Sequence, residues 1–256
     1  MTTTQEQARS QDDGARYRYE RFTTGLLLAD LRFSRSTIRP GRPFPSFDLV
    51  ATDGTRVRST DFKGRPYVVI LGSLTCPMTA SAAEGLRALH EEVGDAIEFV
   101  TVYTREAHPG EFIPQPADLA QKSTHARRLA ERDGYNWRVA VDDLDGTLHR
   151  QLDGKPNAAF VVDRDGRLAF RSLWTTDFAA LRAAIEAVTH DEAPRRSTSQ
   201  SMMRPMMRAL PWVDETVRRA GRSALRDLWR SAPPMALMAR LARIASRRPK
   251  VPRPGQ

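Results

Sequence analysis

The sequence predicts an α/β domain of three layers built around a mixed central sheet. Three observations predict it. Tyr67 to Leu71 and Ile97 to Tyr103 are unbroken aliphatic and β-branched runs, as in strands buried on both faces. Each is followed by a stretch with helical apolar spacing. Late in the chain, Ala158 to Val162 and Leu168 to Leu173 flank the turn Asp163-Arg-Asp-Gly166 and read as a strand pair.

The elements follow in order. Tyr17 to Leu31 predicts a helical arm, with Phe22, Leu26, Ala29 and Phe33 on one side, packed on the domain or on a second copy in a homodimer. Ile38 to Pro45, crowded with Pro and Gly, is a linker. Phe47 to Val57 is a hairpin about Asp53-Gly54. Thr79 to Val93 and Leu119 to Arg132 are helices, and Trp137 to Val141 is a short strand between the second helix and the acidic turn Asp142 to Gly146. Asp177 is placed to cap a closing helix with Phe178, Leu181, Ile185 and Val188 on its apolar side. The expected organisation is a flexible N-terminus and arm (residues 1–41), the α/β domain (42–190) and a basic tail (191–256). Composition predicts disorder for residues 1–15 and 247–256.

Charge separates these regions. The net charge is +9, but residues 191–256 hold 15 Lys and Arg against 5 Asp and Glu, net +10, so the domain is close to neutral. In the tail, Val213, Val217, Ala220, Ala224 and Leu228 form an apolar stripe beside Arg219, Arg222, Arg226 and Arg230. Pro233-Pro234 interrupts it, and Met238, Leu241 and Ala245 predict a shorter second helix. Residues 202–248 are expected to meet an anionic membrane surface, a protein partner or the domain itself, because an apolar stripe needs cover. Phosphate neutralisation needs no such stripe, and no nucleic-acid-binding motif is present, so nucleic acid is not the expected partner. The N-terminal residues lack the basic-then-apolar order of a signal peptide, and no apolar run is long enough to span a bilayer. The expectation is a cytoplasmic protein, peripheral at a membrane if the tail docks there.

One cysteine, Cys76, occupies the turn Gly72-Ser-Leu-Thr-Cys-Pro77 between the first central strand and its helix. A single cysteine excludes an intrachain disulfide and a cysteine-only metal centre within one chain, and suits a reducing compartment. At a helix N-terminus, unpaired N–H groups and the helix dipole favour the thiolate, the reactive form. Thr75 is placed to donate its hydroxyl to that thiolate or to a bound peroxide, and Pro77 suits the first helical turn because it needs no N–H partner. Glu106 and His108 follow the second central strand, so both sites lie at the carboxyl edge of the sheet, where ligand crevices form. His108 is a candidate proton donor and Glu106 a candidate to orient it. The bland alternatives are a buried structural cysteine and an incidental polar loop. Asp142, Asp143, Asp145, Asp163 and Asp165 sit in Asp-Gly turns without calcium-loop spacing and are read as turn residues, so no metal or cofactor is expected. His90, His149 and His190 are isolated and carry no assigned role.

The turn Gly72 to Pro77 and the segment Val102-Tyr-Thr-Arg-Glu-Ala-His-Pro109 together resemble the iodothyronine deiodinase family and its bacterial relatives, a branch of the thioredoxin/peroxiredoxin superfamily. Cys76 falls where that family carries selenocysteine, and Tyr103 to His108 align with its Tyr-Ile-Glu-Glu-Ala-His motif. The resemblance covers about residues 42–190. It implies a thioredoxin-like fold, catalytic roles for Cys76, Glu106 and His108, and contributions from Ser73 and Thr75. It also implies a substrate pocket touching Tyr103, Pro77 and Pro156, with Pro156 as the superfamily's cis-proline. Leu74 stands where the family has a helper cysteine, and the family arginine falls on Ala158. A second family histidine follows a segment matched here by Ile113-Pro-Gln-Pro116, with His125 further on. These departures point away from thyroid-hormone deiodination itself.

The function read from this is a thiol-dependent oxidoreductase, peroxidase-like and antioxidant. Cys76 thiolate attacks a small-molecule peroxide or related electrophile to give a sulfenic acid. An external thiol must then reduce it, because the chain has no resolving cysteine. The alternatives are reductive dehalogenation by the same thiolate and a non-catalytic binding scaffold.

Overall fold

A computed structural model describes residues 17–246. The expectations of disorder for residues 1–15 and 247–256 lie outside the described residues.

The sheet has eight strands: β1 (Asp48–Ala51), β2 (Arg56–Arg58), β3 (Tyr67–Gly72), β4 (Glu98–Tyr103), β5 (Arg138–Val141), β6 (Ala159–Val162), β7 (Leu168–Ser172) and β8 (Thr198–Ser199). Their order is β2-β1-β5-β4-β3-β6-β7-β8. The centre, β5-β4-β3, is parallel, whereas β1, β6 and β7 each run antiparallel to the strand they join. The uninterrupted apolar runs are explained by position: every residue of β3 is buried, because layers cover both faces. Val69 and Leu71 point into one apolar layer with Phe47, Phe62 and Phe160. Val68 and Ile70 point into the other with Leu86, Phe99 and Ile185.

The helices are α1 (Thr24–Asp30), α2 (Pro77–Val93), α3 (Leu119–Asp133), α4 (Thr147–Gln151), α5 (Phe178–Thr189), α6 (Met203–Ala220), α7 (Arg222–Ser231) and α8 (Pro233–Ala245). Helix α2 starts at Cys76, with Pro77 in its first turn. Helix α3 is capped by Asp118, whose carboxylate accepts from Gln121 N (2.7 Å). Asp177 is the N-cap residue of α5 as expected, but its side chain makes no capping bond. Its carboxylate accepts from the Ser199 hydroxyl and ties β8 to the helix start.

The arm departs from its predicted shape. Between Arg18 and Leu31 the helix is confined to Thr24–Asp30, and none of those seven residues is buried. Its buried anchors are Tyr17, Phe22 and Phe33, all outside the helix. Tyr17 donates to His149 Nδ1 (2.7 Å) while His149 Nε2 donates to the Lys155 carbonyl (2.9 Å), a structural task for a buried histidine. The linker also does more than connect, since Gly41 N and Phe44 N donate to the carbonyls of Leu168 and Gly166 beside β7.

The basic segment packs on the domain. Val213, Val217, Ala220, Ala224 and Leu228 share one apolar cluster with Leu129 of α3 and Val139 and Val141 of β5. The stripe predicted to need cover is therefore covered by this chain. The single long helix expected there is two helices, parted at Gly221 with φ +138°. Glu111 reaches from the loop after β4 to accept from Ser223 N (2.9 Å), capping α7. The Ser223 hydroxyl and these backbone donors hold the Glu111 carboxyl down to about 2.

Gly110 lies in the same loop at the end of α6. A Cβ there would stand 2.4 Å from the Ala220 carbonyl oxygen, which backbone cannot yield cheaply. That oxygen already accepts from Phe112 N (2.9 Å). Gly110→Ala is expected to cost roughly 1–3 kcal/mol. Thermal unfolding checks this, and an unchanged melting temperature would contradict the packing described.

Candidate active site

The turn after β3 and the loop after β4 meet at the carboxyl edge of the sheet, and Glu106 joins them. Its side chain is fully buried. One oxygen accepts from the Thr75 backbone N–H (3.0 Å) and the Thr75 hydroxyl (2.7 Å). The other meets the Tyr103 hydroxyl in a short hydrogen bond and His125 Nδ1 at 3.1 Å. Thr75 Oγ1 in turn accepts from the His108 backbone N–H (3.0 Å). Burial, reinforced by the Glu106 carboxylate, drives the Tyr103 phenol's pKa well up, so it stays a donor. Ser73 is buried, and its hydroxyl accepts from Ala107 N (3.4 Å).

This corrects three expected contacts. Glu106 does not bond the His108 ring; it reaches His108 only through Thr75. The Thr75 hydroxyl is committed to Glu106 and does not reach the Cys76 sulfur. Tyr103 is sealed under Glu106 and does not line the pocket. His125, seventeen positions beyond His108 in the sequence, joins the cluster from α3.

Cys76 is the N-cap residue of α2, its sulfur faces the first-turn donors of that helix, and it is 1% exposed. The helix-start donors act as predicted: the Thr79 hydroxyl and the backbone N–H groups of Thr79 and Met78 favour the thiolate. Burial outweighs them and pushes the thiol up to about 11. The activated thiolate expected from the helix terminus is thus not the resting form of the closed pocket. Thr79, at the third helical position, takes the part assigned to Thr75.

The cavity beside Cys76 is small, about 80 Å³. The domain contributes Cys76, Pro77, Ala107, His108, Pro156 and Trp174. The arm closes it with Phe22, Leu27, Asp30 and Leu31, and α6 and α8 with Met206, Leu210, Val213 and Met235. Pro156 lines the cavity as expected, but its preceding bond is trans, and no cis bond occurs among the described residues. The turn is made instead by Asp153 and Gly154, both at positive φ, with the Lys155 carbonyl held by His149. A larger hollow of about 530 Å³, bounded by Arg18, Pro109, Pro114 and Ser223, does not include Cys76.

His108 faces the cavity against Phe22, ring centroids 4.1 Å apart. Its Nδ1 is buried without a hydrogen-bond partner among the described residues. Burial pulls its pKa down to about 4, so it is neutral near pH 7 and cannot be the resting proton donor. The half-buried Asp30 adds a carboxyl whose pKa burial raises to about 7, against the pull of Lys155 and Arg105. The arm and tail residues of the wall carried no sequence signal beyond apolarity, because their role depends on where the chain returns. In the acidic turns, Asp142 accepts from Leu148 N and His149 N, and Asp163 from Asp165 N and Arg167 N, so these carboxylates serve local backbone.

The Redoxin family profile matches residues 39–184. The chain belongs to the Redoxin family. That match runs from the linker through β7 into α5 and includes both loops of the site. Cys76, Glu106 and His108 all fall within the matched span. Thyroxine 5-deiodinase of Gallus gallus is 31% identical over 117 residues, covering 41% of this chain and 45% of that protein. The Redoxin chain thus spans less than half the length of that relative. A crystal structure of a conserved protein from Geobacillus kaustophilus superposes with a TM-score of 0.50 at 18% identity, over 62% of this chain and 87% of that one. It bears out the fold. Peroxidoxin BcpB from Mycobacterium tuberculosis superposes with a TM-score of 0.46 at 18% identity, over 59% of this chain and 98% of that one. No helix among the described residues is long and apolar enough to cross a membrane.

The raised thiol predicts a pH profile. Alkylation of Cys76 by iodoacetamide should accelerate about tenfold per pH unit between pH 7 and 10, since thiolate stays a minor form throughout. A plateau below pH 8 would contradict the closed, desolvated setting. Phe22→Ala, which thins the arm's cover, should raise the rate at every pH.

Proposed function

We propose that this Redoxin-family protein is a one-cysteine thiol peroxidase that uses Cys76 and an external thiol reductant. The observation that carries this reading is the small cavity shared by the sole cysteine and a neutral histidine whose Nδ1 is buried without a partner among the described residues. About 80 Å³ holds two or three waters' worth of volume, which suits a hydroperoxide group.

A ring nitrogen of His108 accepts the Cys76 proton as the sulfur attacks the outer peroxide oxygen. The O–O bond breaks, the sulfur becomes sulfenic acid, and the departing alkoxide or hydroxide takes the proton back from His108. One molecule of a small thiol then attacks the sulfenic sulfur, releasing water and leaving a mixed disulfide. A second thiol displaces Cys76 and leaves as the oxidised dimer. Glu106 and Thr75 are positioning residues in this scheme: they fix the cysteine turn and the His108 backbone together. Ser73 steadies the same loop through Ala107. A reducing, cytoplasmic thiol pool suits such a cycle.

The test is hydroperoxide-dependent consumption of a small thiol by the wild type and by Cys76→Ser. Turnover by the wild type alone supports the reading, and equal rates would overturn it.

The deiodinase match favours a second reading, reductive dehalogenation of an aromatic ring. There the thiolate takes the halogen, the ring carbon gains a proton, and a second thiol releases halide as the disulfide forms. A ring does not fit about 80 Å³, so the arm would have to withdraw first. Halide release identifies this reaction. Neither turnover nor halide would leave a binding scaffold.

A further inference from the structure

We propose that the outer face of α8 is a docking surface for an anionic membrane. The helix is built inside out for a free-standing globule. Its inner face, against the domain, carries the buried small residues Ala236 and Ala239. Its outer face carries Leu237, Met238, Leu241 and Ile244, at 50%, 50%, 57% and 67% exposure. They recur at helical spacing, so they form one continuous stripe. Helix α6, which packs on α8, adds the exposed Met203 and Met207.

Charge selects the occupant. After Asp227 the chain has no acidic residue. Arg230 and Arg240 are exposed, Arg243 pairs with Asp214 of α6 (2.6 Å), and the sequence beyond residue 246 adds four more cations, Arg247, Arg248, Lys250 and Arg253. Arg204 and Arg208 stand exposed on α6 next to its methionines. An apolar stripe edged with cations suits the boundary between anionic headgroups and acyl chains. A second copy suits it less, because pairing two such faces would bring together two sets of like charges, of which, among the described residues, only Arg243 is ion-paired, with Asp214. At thirteen residues α8 is too short to span a bilayer, so it would lie in the interface. The same helix lends Met235 to the wall of the Cys76 cavity. The inference does not depend on the chemistry of Cys76.

The test uses the full chain and sedimentation with vesicles of phosphatidylcholine alone or mixed with phosphatidylglycerol. Binding is expected to the mixed vesicles, to weaken with salt, and to fall about tenfold or more on neutral ones. The double variant Leu241→Asp, Ile244→Asp should bind the mixed vesicles about tenfold or more weakly, with an unchanged melting temperature because both side chains are exposed. Absence of binding to anionic vesicles would overturn the proposal. So would a double variant that binds like the wild type, which would leave charge alone as the cause. Concentration-dependent self-association that the double variant abolishes, without vesicle binding, would assign the face to a second copy instead.

Discussion

Glu106→Ala is expected to lower stability by roughly 3–5 kcal/mol, the largest loss from any single polar side chain of the site. The carboxylate is fully buried and faces four donor groups: the Thr75 N–H, the Thr75 hydroxyl, the Tyr103 hydroxyl and His125. Alanine leaves those groups without an acceptor in a site where water does not replace it, and opens a void besides. The consequence reaches the chemistry. Thr75 is one residue from Cys76 and also holds the His108 backbone. Losing Glu106 therefore releases both reacting groups from a common frame. Glu106→Gln keeps the volume and one acceptor, so it should lose less stability than alanine. Urea unfolding of the two variants measures this, and a loss below about 1 kcal/mol for alanine would contradict the network.

His108→Gln is expected to slow oxidation of Cys76 by hydroperoxide about 10²–10⁴-fold near pH 7. With the thiol pushed up to about 11, spontaneous ionisation leaves little thiolate at neutral pH, so the rate rests on a proton acceptor in the cavity. Two cavity side chains can serve, Asp30 and His108; the task is assigned to His108, which is neutral and has its Nδ1 unpartnered among the described residues. The proposed role, as opposed to simple packing against Phe22, has its own signature. The deficit should shrink as pH rises toward 11, because hydroxide then supplies the thiolate without help. A deficit equal at pH 7 and pH 10 would assign His108 to packing.

The sheet was legible because its strands are marked by burial. Val68 to Leu71 and Phe99 to Tyr103 are apolar at every position or nearly so, which fits a parallel strand covered on both faces and little else. The positions of Cys76, Glu106 and His108 followed from the same fact, since residues just beyond such strands gather at one edge. What the sequence did not reveal depends on side-chain direction or on chain return. Glu106 lies two residues before His108, and nothing in that spacing says that its carboxylate turns to Thr75 and His125. The two-residue β8 and the five-residue α4 are too short for any period to show. The arm's helical stripe misled because Phe22 and Phe33 are buried as loop residues on either side of a short exposed helix. Gly221 split the basic helix through a left-handed backbone angle that proline-based punctuation could not signal. Burial of Cys76, present in the sequence reading only as the alternative of a structural cysteine, had the largest consequence. The helix-terminus argument had the right sign, but burial reverses its outcome, and the cavity wall that encloses Cys76 includes residues of α6, α8 and the arm, outside the stretch that carries the motif.

The most direct test of the account is intact mass of the protein after stoichiometric hydroperoxide, with a sulfenic-acid trapping reagent present. The account predicts one trapped adduct per chain in the wild type, none in Cys76→Ser, and loss of the adduct when a small thiol is added before the trap. A wild-type chain that stays unmodified under peroxide, or an adduct that persists in Cys76→Ser, would contradict it.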